Sequence, residues 1–170
     1  VRTAAVDALR KIGDQQAVGP LTLALKDPHK HVRSLAAEAL GQIGDSQVID
    51  PLLKALEDKA WEVREAAVVA LGRFRDPRAV DSLLPLVSDA DREVREATAK
   101  VLEQIGDQRA LAPLMLALKD PEDTVRQAAS HALMTIDPNW EHSPSAQTVV
   151  PQLKVSLKDK DYWVRQAAAS

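Results

Sequence analysis

Cysteine is missing from this 170-residue chain, which excludes disulfides and thiolate zinc sites. The absence fits a reducing, cytoplasmic setting. Aromatic residues are scarce at 3% against 45% apolar residues, so the interior must be built from Leu, Val, Ile and Ala. Leu and Ala favour helices. No apolar run approaches the length of a membrane span, and no secretory or transit signal opens the chain. No membrane partner is therefore expected. An excess of one charge is also lacking: 22 basic and 25 acidic residues give a net charge of −3. A general nucleic-acid binder would show a basic excess on one face, so nucleic acid is not an expected partner.

Repetition dominates what is present. Val-Arg occurs at Val1-Arg2, Val32-Arg33, Val63-Arg64, Val94-Arg95 and Val125-Arg126, in steps of 31 residues. A sixth copy, Val164-Arg165, comes after 39 residues. Such a period means stacked supersecondary units, each too small to bury its apolar face alone. The whole chain, 1–170, reads as a single array.

Each unit carries two helical patterns. The second is longer, as in Val32 to Asp45. At about 100° per residue, Val32, Ala36, Ala39, Leu40 and Ile43 fall on one stripe, which is the spacing of a buried helix face. Gly44 is a C-terminal stop, and Asp45 can cap the next helix. The first helix of each unit contains a proline, at Pro20, Pro51 and Pro113. Proline inside a helix loses a hydrogen bond and clashes, so a tight opening turn is expected, with the helix proper starting around the proline. The expected pairs are about 15–26 with 29–43, 46–57 with 60–73, 77–88 with 91–105 and 108–119 with 122–136. A helix at about 1–12 precedes them, and one at about 147–158 with another from 161 completes the array.

Two places depart from the pattern. In the third unit, 76–105, proline moves to Pro85, and Arg75 replaces the stop glycine just before it. A kink or slip is expected there. An insertion at about 139–146 carries Trp140, His142 and Pro144, after Asp137-Pro138 in place of Gly-Asp. A tryptophan-bearing loop of this kind either works in binding or folds back on the array, and packing of Trp140 is the plainer expectation.

The recurring unit has an aspartate six residues before an arginine, then A-A-x-A-L-x-x-I-G-D, then A-x-x-P-L-x-x-A-L. It resembles the short HEAT-like repeats found in phycobilisome bilin lyases and in many bacterial and archaeal proteins. The consensus of artificial alpha-repeat libraries is similar. The resemblance implies an all-α, right-handed alpha-alpha solenoid of about five stacked hairpins, with the second helices lining a concave side. It also implies a structural ladder of Asp27/Arg33, Asp58/Arg64, Asp89/Arg95, Asp120/Arg126 and Asp159/Arg165. An arginine fork can bridge a carboxylate and the orphan carbonyls of a neighbouring turn.

Catalytic signatures are not found. His29 and His31 lie two apart at a helix start, while His131 and His142 belong to other elements. Neither HExxH nor GxSxG occurs. HEAT-like enzymes of the deoxyhypusine hydroxylase type use repeated His-Glu dipeptides, which this sequence lacks. No catalytic residue, metal or cofactor is expected. The function expected is a protein–protein interaction scaffold. The alternatives are a regulatory or lyase-type subunit acting on a bilin-carrying protein, and a designed or consensus-derived binder.

Positions opposite the buried stripe supply the candidate binding face. They include Leu35, Glu38, Trp61, Glu62, Glu65, Val69, Arg73, Arg92, Glu93, Glu96, Lys100 and His131. Trp61, Leu35 and Val69 offer apolar surface, and Glu62, Glu65, Glu93 and Glu96 surround it with negative charge. That arrangement suits a basic protein segment with an apolar anchor. The chain begins and stops within a repeat and reads as a segment of a longer protein. Val6, Leu9 and Ile12 would lack a stacking neighbour, so fraying of the ends or end-to-end self-association is expected.

Overall fold

A computed structural model describes residues 1–154, with side chains to residue 149. All regular structure among the described residues is helical, and no strand occurs. The chain divides into two compact units at Leu83/Leu84.

The first unit opens with α1 (Arg2–Ile12) and continues through α2 (Val18–Ala24), α3 (Lys30–Ile43), α4 (Ile49–Ala55), α5 (Trp61–Phe74) and α6 (Val80–Leu83). Packing runs α1 on α3 and α3 on α5, with α2 against α3 and α4 against α5. The second unit starts with a 3-10 helix, Leu84–Ser88, and continues through α7 (Arg92–Ile105), α8 (Leu111–Ala117), α9 (Asp123–Ile136) and α10 (Pro144–Lys154). Here α7 packs on α9, α8 on α9, and α10 on α8.

The stripe at the centre of each long helix is buried as its spacing predicts. Leu40, Leu71, Leu102 and Leu133 are fully buried, as are Val63, Val94 and Val125. Small residues beside them let the helices approach closely. A Cβ built on Gly41 would stand 2.6 Å from the Ala70 Cβ and 2.8 Å from its Cα. The one polar residue enclosed in the α7 stripe, Thr98, returns its hydroxyl to the Val94 carbonyl at 2.7 Å, which satisfies it locally.

The short helices open as their prolines require. Asp14, Asp45, Asp76 and Asp107 each accept the backbone N–H two residues on. This side-chain bond sets a 3-10 turn at Gln15–Ala17, Ser46–Val48, Pro77–Ala79 and Gln108–Ala110. The α-helix begins two residues before Pro20, Pro51 and Pro113. Each proline therefore sits in the first turn, where its missing N–H leaves no bond unmade.

The third unit breaks where expected. Pro85 lies too far into its helix, so α6 stops at Leu83 and the chain goes on as the 3-10 helix Leu84–Ser88. Arg75 nonetheless takes the left-handed cap conformation, φ 48°, that Gly13, Gly44 and Gly106 adopt elsewhere. The insertion also resolves simply. Trp140 is only 6% exposed, in a 3-10 turn, Trp140–His142, that packs on α9 and α10. The Asp137 carbonyl accepts the Trp140 N–H at 3.0 Å. Ser143 Oγ then accepts the Ala146 N–H at 3.1 Å and caps α10. Tyr162, Trp163, the Asp159/Arg165 rung and the helix from 161 lie outside the described residues.

Candidate functional site

The loops before the long helices are set by the arginine–aspartate ladder, but its pairing differs from the expected one. Arg33 does not use the carboxylate of Asp27. Its Nε and Nη2 donate to Asp58, 25 residues on, at 2.7 and 2.8 Å. Its Nη1 donates to the backbone carbonyls of Asp27 and Pro28 at 2.8 and 3.2 Å. Arg95 repeats this with the Asp120 carboxylate and the Asp89 and Ala90 carbonyls. Arg2 reaches the Asp27 carboxylate at 3.0 Å. Arg64 and Arg126 likewise donate Nη1 to the carbonyls of Asp58 and Asp120, at 2.8 and 2.7 Å.

The physical reason is that each aspartate already serves its own loop. Asp27, Asp58, Asp89 and Asp120 each accept the N–H two residues on, at 2.8 to 2.9 Å. In Asp27, Asp58 and Asp120 the carboxylate is thereby aimed at the arginine of the preceding long helix, Arg2, Arg33 and Arg95, which bridges two successive repeats. The Asp58 bonds hold the Arg33 guanidinium above its ordinary pKa. Burial resists ionisation of Asp58, yet the Arg33 fork and the Ala60 N–H hold its carboxyl below the usual range.

This ladder positions an open groove of about 510 Å³ in the first unit. Its walls are the N-terminal ends of α3 and α5: Pro28, His29, Lys30 and Arg33 on one side, Lys59, Ala60, Trp61 and Glu62 on the other. Trp61 is half-buried in this groove as the first residue of α5. Glu62 is not a free acid beside it, because Lys30 Nζ lies 2.5 Å from its Oε1. That hydrogen bond lowers the Glu62 pKa.

The other expected residues of this unit lie elsewhere on the two helices. Leu35 is half-buried on α3, and Glu38 is exposed. Val69 and Arg73 are exposed near the far end of α5. Eight residues of helix put Val69 about 12 Å along the axis from Trp61, so the two are not in contact. Glu65 is half-buried one turn beyond Trp61 and is itself engaged.

In the second unit the expected acids are likewise held by neighbours. Arg92 Nε meets Glu93 at 3.0 Å, and its Nη1 lies 3.7 Å from Glu122. Lys100 Nζ holds Glu96 at 2.5 Å. His131 Nδ1 lies 3.0 Å from Glu103. Glu93 and Glu96 are both lowered in pKa, chiefly by those hydrogen bonds. The expected acidic surround is therefore a set of ion pairs rather than a field of free carboxylates.

Sequence reading left His29, Lys30 and Lys59 out of the candidate binding face. The signal for Lys30 was its offset of 32 residues from Glu62, one more than the repeat, which brings a residue beside the next long helix. Among the described residues, no group of three or more metal-binding side chains is gathered. No described helix is long and apolar enough to cross a membrane.

Comparison with known proteins agrees with this architecture. The chain matches the family of HEAT repeats over residues 1–67 and 49–134. No curated protein matches it. Its structure is similar to the complex of CpcE and CpcF of phycocyanin lyase from Nostoc sp. PCC7120. The identity is 25%, the TM-score is 0.72, and 98% of this chain and 68% of that chain are covered. It is also similar to YibA of E. coli, with 26% identity, a TM-score of 0.70, and coverage of 96% of this chain and 61% of that one. A designed armadillo repeat protein in complex with the peptide (KR)4 shares the fold at 21% identity and TM-score 0.65, covering 98% and 89%. The 31-residue period, the buried leucine stripe and these matches have one conclusion: the chain is a helical-repeat solenoid and belongs to the HEAT-repeat family.

Proposed function

We propose that this chain is a non-catalytic scaffold that binds a protein partner through the exposed ends and faces of its long helices. One observation carries the reading. Trp61, a large aromatic side chain, is not enclosed in the repeat core but lines an open groove whose two walls the Arg33–Asp58 rung ties together. A half-buried tryptophan on a fixed support is a common anchor of protein interfaces. Capture of a partner from the source lysate by wild type and by Trp61→Ala tests the proposal. The variant should weaken capture by about 2 kcal/mol or more. Equal recovery of one partner by both would move the working surface away from Trp61. Recovery of none by wild type would remove the scaffold role.

A second reading, a lyase-type subunit acting on a bilin-carrying protein, is favoured by the likeness to the CpcE/CpcF complex at 25% identity over 98% of this chain. Mixing the chain with a tetrapyrrole and monitoring bilin absorbance tests it. A new absorbance band would support this reading, and an unchanged spectrum would count against it.

A further inference from the structure

The charge around Trp61 points to a partner of the opposite sign from the one the sequence suggested. The groove wall carries Lys30, Arg33 and Lys59, together with His29, against the single acid Glu62. Lys30 is matched by Glu62 and Arg33 by Asp58. Lys59 remains, exposed and without an ion pair among the described residues. A second depression of about 280 Å³ flanks the same 58–59 turn, lined in part by Lys26, Lys54, Pro51 and Leu25. Its one acid is Asp58, already held in the Arg33 fork. Lys26 and Lys54 are exposed and, among the described residues, likewise unpaired. Glu57 is the exposed acid next to this turn, while Asp27 is held by Arg2. Lys59 thus shares the groove with the partly sheltered tryptophan, and Lys26 and Lys54 line the neighbouring depression at Asp58. The N-termini of α3 and α5, each 14 residues long, add positive field at the same edge.

We propose that this edge of the first unit is a docking site for an acidic protein segment. Its apolar side chain lies against Trp61, and its carboxylates face Lys26, Lys54 and Lys59. The inference rests on the scaffold reading above and gives that reading a partner chemistry. Nearby carboxylates would gain charge complementarity and faster encounter, whereas a basic segment would meet like charge.

The test uses a capped peptide with one phenylalanine flanked by aspartates, titrated into the isotope-labelled chain. The readout is the Trp61 indole signal and the backbone amides of residues 28–31 and 59–62. Saturable shifts at these positions are expected, weakening as salt is raised. The same peptide with asparagine or lysine in place of aspartate should shift them much less. Lys59→Glu changes an exposed side chain and leaves the ladder intact. It should weaken the aspartate peptide about fivefold, the size of one solvent-exposed charge contact. Trp61→Ala should weaken it by about 30-fold or more. A thermal melt of each variant by circular dichroism confirms that the fold is retained.

Equal or tighter binding of the lysine peptide would overturn the proposal. So would shifts confined to other residues, or a response of these amides to a short oligothymidylate but not to the aspartate peptide. These failures leave the scaffold reading standing if wild type still captures a partner from the lysate. Only the loss of that capture removes both.

Discussion

Replacing Gly41 by alanine measures how closely α3 and α5 pack. The added methyl carbon would lie 2.6 Å from the Ala70 Cβ and 2.8 Å from the Ala70 Cα. Carbon atoms prefer about 3.5–4.0 Å. No rotamer change relieves the second contact, because a Cα belongs to the backbone, so the two helices must separate. Overpacking of this kind costs about 1–3 kcal/mol. Against it stands the gain from removing a mid-helix glycine, about 1 kcal/mol. With a backbone clash placing the cost at the upper end, a net loss of about 2 kcal/mol is expected. For a chain of this size that lowers the melting temperature by about 4–8 °C. Urea and thermal unfolding monitored by circular dichroism give the measurement. Gly19→Ala is the control, since beyond its chain neighbours its Cβ would meet nothing within 4 Å; in the first turn of α2 and directly before Pro20 it should change stability by less than about 1 kcal/mol. Adding Ala70→Gly to Gly41→Ala removes the Cβ contact but leaves the Cα, so a coupling of about 1 kcal/mol is expected in the double-mutant cycle. If Gly41→Ala proves no more destabilising than Gly19→Ala, the close approach of the two helices is refuted.

Arg75→Gly should stabilise the chain by about 1 kcal/mol, because the exposed arginine holds a left-handed φ of 48° that costs an L residue; a lower urea midpoint would contradict this. Asp58→Asn should cost about 3 kcal/mol at neutral pH, since it leaves the buried Arg33 fork without its carboxylate. The folded pKa of Asp58 lies below its unfolded value. Its contribution is therefore full above the ordinary carboxylate pKa of about 3.9 and is lost as pH falls through the folded pKa. The stability gap between wild type and Asp58→Asn should accordingly narrow in urea melts below about pH 4, and a gap independent of pH down to complete unfolding would rule out this linkage. Leu102→Ala, at a fully buried position, should cost about 2–5 kcal/mol, and a loss under about 1 kcal/mol would mean that the stripe is not the core.

The sequence alone determined what depends on local periodicity and local backbone chemistry. The buried leucines, the capping aspartates, the early break at Pro85 and the left-handed stops at glycine were legible. Each comes from helical spacing, from a missing N–H, or from a side chain reaching two residues along the chain. The packing of Trp140 was also expected, since an insertion with a tryptophan and few other apolar residues has little else to fold against. Tertiary structure alone decided which partner each charged group takes. Arg33 chooses Asp58 over Asp27, and Lys30 chooses Glu62, because stacking sets each beside the next repeat, at offsets of 25 and 32 residues. The charge of the groove has the same origin. In sequence Glu62, Glu93 and Glu96 read as exposed carboxylates, but stacking and helix spacing give each a cation within hydrogen-bond reach. Lys26, Lys54 and Lys59 remain without such a partner among the described residues: Asp27 and Asp58 are committed to arginines and backbone amides, and the exposed Glu57 makes no ion pair.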